Sequence, residues 1–149
     1  MLFRSRNAGA ERTSRPRALA DAELVYMEQL FRIRHPIRLV AKVDRVYRLR
    51  GGSLVLVELK TRNRDRVHLT DVIQLSAQRL AIEAQTGAVV ELYDFVYVLG
   101  PSGKIRSHRV RLLDEAALVE LYRRREAVRS GQLSPSYAAS ESEIGRAHV

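Results

Sequence analysis

The chain contains no cysteine. Disulfides, thiolate zinc sites, iron–sulfur clusters and cysteine nucleophiles are thereby excluded together. Any metal site must be built from carboxylate, imidazole or carbonyl ligands, which makes hard cations the default. No apolar run approaches the ~18 residues of a membrane-spanning helix, and no apolar stretch near the N-terminus has the form of a secretory signal. The expectation is a cytoplasmic protein without membrane attachment. There is no G-x-S-x-G elbow for a serine nucleophile and no G-x-x-x-x-G-K-[ST] loop for nucleotide-driven work. The four histidines are scattered and lack the spacing of a zinc site.

What is present is a globular balance. In 149 residues, 46% are hydrophobic and 29% charged, which fits one folded domain. Twenty-six Lys and Arg against 17 Asp and Glu give a net charge of +9 and a pI near 10.6. An excess of that size points to a polyanionic partner, most often nucleic acid. The charge is uneven. Residues 1–20 hold five arginines and one acid. An Arg-rich, acid-poor start is also the composition of a transit peptide, but no apolar periodicity makes this stretch amphipathic.

Pattern divides the chain into a basic arm (1–16), a domain (17–131) and a Ser/Ala-rich, weakly structured tail (132–149). Ala18, Leu19, Ala22 and Val25 or Tyr26 share a helical side, predicting a short helix over 17–26. Strands follow at 30–34 and 37–47. Gly51-Gly52 signals a hairpin into Ser53–Thr61, a strand apolar on both faces and therefore central. Thr70 can cap a helix over 71–85 that stops at Gly87. Strands at 89–99 and 104–111 and a last helix from the Asp114 cap to near Gly131 complete the chain. The sum is an α/β fold: a mixed central sheet with helices on its two sides.

The chemistry gathers at the end of the central strand. Glu58 and Lys60 share one face, about 6–7 Å apart along the strand, behind Leu54 and Leu56. A carboxylate and an ammonium on so apolar a strand are costly unless paired or bound. Asp44 lies on the preceding strand. A turn centred between the glycines pairs Tyr47 with Leu56, and a stagger or bulge then brings Asp44 beside Glu58. Two carboxylates, with the Leu59 carbonyl, suit Mg²⁺ or Mn²⁺. The same trio also reads as a cross-strand ion pair with no metal.

Three blocks carry a resemblance. They are Lys42-Val43-Asp44-Arg45-Val46-Tyr47, then Gly51-Gly52-Ser53-Leu54-Val55-Leu56-Val57-Glu58-Leu59-Lys60-Thr61-Arg62, then Gln74-Leu75-Ser76-Ala77-Gln78-Arg79-Leu80-Ala81-Ile82-Glu83. In this order they resemble the PD-(D/E)xK nuclease superfamily, in its RecB-type branch that includes the CRISPR spacer-acquisition exonucleases. That branch reads G-x-(I/V)-D-R-(I/V), a hairpin, (L/V)-x-(D/E)-x-K-T, and a helix beginning Q-L-x-x-Y. The resemblance spans residues 37–86 and implies a restriction-endonuclease-like fold. It implies a Mg²⁺- or Mn²⁺-dependent deoxyribonuclease of DNA repair or defence. Asp44 and Glu58 would be metal ligands, Lys60 the catalytic lysine, and Gln74 the positioning residue of the helix. Three positions depart from the pattern. Ala41-Lys42 replaces Gly-Arg or Gly-Lys, Gln78 stands where Tyr is usual, and the cysteines of the iron–sulfur members are missing, so no cluster is expected.

Several further residues have two readings. Glu28 is a further candidate metal ligand, or a solvated side chain. Arg62, Arg64 and Arg66 follow Lys60 and are candidate DNA-phosphate contacts, as is His68; the plain alternative is a solvated loop. The competing function is a catalytically silent nucleic-acid-binding module of the same fold, acting within a complex. Specificity is expected from a partner protein or a homo-oligomer, with the arginines of the last helix as one contact surface.

Overall fold

A computed structural model describes residues 16–131. The expected arm and tail lie outside these residues, apart from Pro16. The elements are β1 (Glu23–Ile33), β2 (Leu39–Arg48), β3 (Leu54–Thr61), α1 (Leu69–Thr86), β4 (Tyr93–Leu99), β5 (Ile105–Arg111) and α2 (Glu115–Arg129). Five strands form one sheet in the order β1-β2-β3-β4-β5. Only β3 and β4 are parallel, and α1 supplies the crossover between them. β3 lies at the centre, and its first five residues are all buried. This is the mixed α/β sheet expected from the sequence.

The strand pleat sorts the core into two layers. Val46, Leu54, Leu56, Val96, Val98 and Val110 face one side, where Val72, Leu75 and Ala81 of α1 and Leu118 and Leu121 of α2 cover them. Tyr47, Val55, Val57, Phe95 and Tyr97 face the other, where Leu19 packs. Both helices thus lie on one face rather than on two sides. Among the described residues the opposite face receives a single 3₁₀ turn, Arg17–Leu19. Ser76 fastens the helical layer: its hydroxyl donates to the Val72 carbonyl (2.6 Å) and accepts from Leu113 N–H (2.9 Å) ahead of α2.

That 3₁₀ turn stands where the sequence predicts a helix over 17–26, and β1 begins at Glu23. The reason is tertiary. A helix so short is marginal by itself, whereas Glu23–Ile33 pairs along almost all of β2 and includes Val25, Tyr26 and Phe31, residues that suit a pleated surface. After α1, Val90 makes only an isolated bridge to Leu54 of β3, and the regular β4 strand begins at Tyr93 rather than at Val89. The two long helices match their expected spans closely. Asp114 caps α2 by accepting from Ala117 N–H (2.8 Å), and Gly87 ends α1 with φ of 75°.

Candidate active site

The β2–β3 hairpin sets the geometry. Leu49 N–H donates to the Ser53 carbonyl (2.8 Å), closing a loop of Arg50, Gly51 and Gly52 whose last residue has φ of 97°. A three-residue loop ending in a left-handed glycine is a standard hairpin connection. Its centre falls on Gly51, so Tyr47 pairs with Val55, Val46 with Leu56 and Arg45 with Val57. The register is one residue off the Tyr47–Leu56 pairing expected from a turn centred between the glycines. Continued by one step, it sets Asp44 opposite Glu58 without any bulge between β2 and β3.

The ladder with β3 stops at that step. In its place Leu59 N–H donates to Asp44 Oδ2 (2.9 Å). The pleat of β2 changes phase here as well, because Val43 and Val46, three residues apart, enter the same core layer. Beyond Asp44 the strand stays paired with β1 alone. On β1 the matching irregularity is Glu28, with φ of 51°. A non-glycine residue in the left-handed region costs about 1–2 kcal/mol. β1 and β2 therefore bend together, and the two central strands part where the carboxylates stand.

Glu58 is buried, and its Oε1 lies 3.4 Å from Lys60 Nζ. Burial, then repulsion from Asp44, raises its pKa to about 7, with Lys60 and Gln78 acting the other way. On α1, Gln74 Oε1 accepts from Lys60 Nζ (3.4 Å). One turn further on, Gln78 is buried, and its Nε2 donates to the Lys42 carbonyl (3.1 Å) and to Glu58 Oε2 (3.5 Å). Where the motif usually has tyrosine, this chain has an amide that ties the parted half of β2 to the Glu58 carboxylate.

Asp44, Glu58, Leu59, Lys60 and Gln74 thus meet at one place. Glu28 does not complete a cluster with them: it is exposed, and among the described residues no three His, Cys, Asp or Glu side chains gather around one point. Arg62 is engaged elsewhere. Its guanidinium grips Asp71 through two hydrogen bonds of 2.6 Å each and donates to the Arg66 carbonyl (3.0 Å). Burial opposes the charge of Asp71, yet Arg62 and the His68 N–H hold its pKa below the usual carboxylate range. His68 is the N-cap residue of α1, its N–H donating to Asp71 Oδ2 (2.8 Å). Arg62 and His68 are built into the start of the helix, whereas Arg64 and Arg66 are exposed. In the same loop Asp65 joins His108 (2.5 Å) and Arg106 (3.4 Å) of β5.

One carboxylate beside the site was missed in reading the sequence. Asp94, on β4, has no exposed surface, and its Oδ2 has no hydrogen-bond partner. Its pKa is raised well above normal, first by burial and then by Glu58 and Asp44, against a hydrogen bond from Phe95 N–H. The available signal was a lone acid in the run Tyr93-Asp94-Phe95-Val96-Tyr97-Val98. Asp44 and Glu58, balanced by the single ammonium of Lys60, offer hard-oxygen donors with excess negative charge, the chemistry that suits a divalent cation.

A parted strand pair carrying Asp44 and the Glu58-Leu59-Lys60 triplet, with a glutamine helix behind it, defines a nuclease-type α/β domain. The chain belongs to the PD-(D/E)XK nuclease superfamily, whose family model matches residues 2–141. The fold is shared with the crystal structure of SSO0001, at 21% identity and a TM-score of 0.53. That alignment covers 90% of this chain and 61% of the other, so this chain spans less than two thirds of that protein's length. No curated protein sequence matches the chain. Among the described residues no helix is long and apolar enough to cross a membrane.

Proposed function

We propose that the protein is a metal-dependent deoxyribonuclease that hydrolyses phosphodiester bonds with Mg²⁺ or Mn²⁺. The observation that carries this reading is the convergence of Asp44, Glu58 and Lys60 where β2 and β3 part. Asp44 and Glu58, with the Leu59 carbonyl, would hold the cation. Bound there, the cation supplies charge to polarise the phosphate and to acidify a water. Lys60 stands beside the same carboxylate, where its ammonium offsets the negative charge that grows on the phosphate in the transition state. Gln74 fixes the direction of that ammonium. Exposed Arg64 and Arg66, directly after the catalytic strand, are suited to the phosphates of the bound strand. The order of motifs supports the RecB-type branch and, with it, a role in DNA repair or defence; a cytoplasmic setting completes the proposal. Specificity would come from a partner subunit or from an oligomer of this chain.

The test is cleavage of single- and double-stranded DNA with Mn²⁺, with EDTA, and by Lys60→Ala. Activity should vanish in EDTA and fall about 10²–10³-fold in Lys60→Ala, the scale of losing one group that stabilises transition-state charge. Undiminished activity in Lys60→Ala would refute the mechanism. Salt-dependent binding with no metal-stimulated turnover would establish the silent binding module instead.

A further inference from the structure

Beyond Asp44 the β1–β2 hairpin runs on without β3, and its charge is of one sign. From Gln29 to Val43 the chain carries Arg32, Arg34, Arg38 and Lys42 and no Asp or Glu. The pleat sorts these residues cleanly. Phe31, Ile33, Ala41 and Val43 enter the core beneath, whereas Arg32, Arg34, Arg38, Val40 and Lys42 are exposed. The register sets Arg32 against Val40 and Leu30 against Lys42, so the exposed side chains of both strands share the outer face. Arg34 and Arg38 stand at its turn end.

The cations elsewhere make this face distinctive. Arg48, Arg62, Arg79, Arg106, Arg124 and Arg129 each have a carboxylate partner. Among the described residues no carboxylate pairs with Arg32, Arg34, Arg38 or Lys42. Like charges gathered on one pleated face repel, and a polyanion relieves that repulsion. Three of the four surround a cavity of about 410 Å³ at the hairpin's end, with Ile33, Leu39 and Val40. Val40 also lines a second cavity, of about 290 Å³, together with Lys42, Gln74 and Gln78. Gln74 and Gln78 are the helix residues that touch Lys60 and Glu58. Neither cavity has a carboxylate in its lining. A path free of negative charge therefore leads from the candidate active site to the end of the hairpin. Arg38 stands six residues before Asp44, up to about 20 Å away along an extended strand.

We propose that the outer face of the β1–β2 hairpin is a track for the phosphodiester backbone of the substrate, holding phosphates up to about 20 Å from the one being cut. The inference rests on the nuclease reading and adds to it the surface that carries the flanking strand. Guanidinium groups match phosphate oxygens in geometry and charge. Contacts of this kind position a strand without reading its sequence. Continuity with the carboxylate–lysine site favours a nucleic-acid strand over an acidic polypeptide. A strand held at that site has to leave it, and along this path it meets cations and no carboxylate.

The test is binding of labelled DNA strands by fluorescence anisotropy in EDTA, where no cleavage takes place. Arg50 supplies the control: it is exposed in the β2–β3 turn, six residues after Asp44, on the other side of the site from Arg38. Arg34→Ser/Arg38→Ser should weaken binding of a strand of about 16 nucleotides roughly tenfold, and should make the slope of log affinity against log salt shallower by about 1.4, two contacts at ~0.7 each. Arg50→Ser should change neither. Lengthening the strand from about 3 to about 16 nucleotides should raise affinity more for wild type than for the double variant, because only the longer strand reaches from the carboxylates to the turn. If the double variant loses stability, Arg32→Ser alone should show about half the change in slope. Wild-type affinity and slope in the double variant, or an equal loss in Arg50→Ser, would overturn the proposal. So would polyglutamate of equal charge bound as tightly as DNA with the same loss in the double variant, which would make the face a dock for an acidic polypeptide. The readout needs no turnover and is separate from the Mn²⁺ cleavage test. Cleavage by wild type with unaltered binding in the double variant sinks only the track, and hairpin-dependent binding without cleavage sinks only the nuclease.

Discussion

At the scale of single residues, Glu58 is the candidate metal ligand whose environment departs furthest from what a surface carboxylate meets. Desolvation on a central strand, reinforced by Asp44, lifts its pKa from 4.5 to about 7, although Lys60 lies 3.4 Å away. The linkage has a definite sign. Between those two values the folded protein keeps a proton that the unfolded chain releases, so stability is full below pH 4.5 and is lost as pH rises through about 7. The loss is on the order of 3 kcal/mol at ~1.4 kcal/mol per pH unit. Melting temperature in EDTA should therefore fall for wild type between pH 5 and pH 8, while Glu58→Gln, which has no proton to lose there, should show a flatter profile and exceed wild type at pH 8. Added Mn²⁺ should reverse the ranking by favouring the ionised carboxylate that only wild type has. A Glu58→Gln profile parallel to that of wild type would show that this carboxyl is not the titrating group.

At the scale of elements, the start of α1 depends on a clamp between the catalytic strand and the helix. Arg62, directly after β3, holds buried Asp71 in a two-pronged pair, and Asp71 in turn accepts the N–H of His68. Removing Arg62 leaves a buried carboxylate without its counter-ion, at a cost of about 3–5 kcal/mol, whereas removing both partners costs much less. Urea unfolding of Arg62→Ala, Asp71→Asn and the double variant should therefore give strongly non-additive losses; additive losses would exclude the clamp. Such long-range pairs explain which elements were legible. The alternation of Leu54, Leu56, Glu58 and Lys60 put the site on one face of a central strand, and the caps at Asp114 and Gly87 placed the helix ends, because those signals are local. The helix over 17–26 failed because pairing of β1 with β2 overrode a weak local period. The expected Tyr47–Leu56 pairing was off by one because the turn uses three residues, and a Gly-Gly pair alone does not specify loop length. Arg62 read as a phosphate contact for a similar reason. Its partner Asp71 is nine residues away, and only the loop's path brings the two together.

At the scale of the whole molecule, the two sheet faces are treated differently, and the charge outside the sheet has its own part to play. Both helices cover the face that carries Glu58 and Lys60, and among the described residues every strand and α-helix lies between Glu23 and Arg129. The arginines Arg4, Arg6, Arg12 and Arg15 precede the described residues and carry part of the chain's excess positive charge. A variant lacking residues 1–15 should therefore keep the fold, its melting temperature and its Mn²⁺-dependent cleavage. Its affinity for DNA should be lower. Each neutralised phosphate of a single strand contributes about 0.7 to the slope of log affinity against log salt. Loss of four such contacts would make that slope shallower by up to about 3, and a smaller change would count the arginines that reach the strand. Light scattering on the full and shortened chains reads the other role open to the arm. A shift from a larger species to a monomer on truncation would place the arm in self-association, which is one way an unguided cutting domain gains selectivity for particular ends. An unchanged salt slope together with an unchanged mass would leave the arm out of both DNA binding and assembly, and would make the folded domain alone responsible for its grip on the strand.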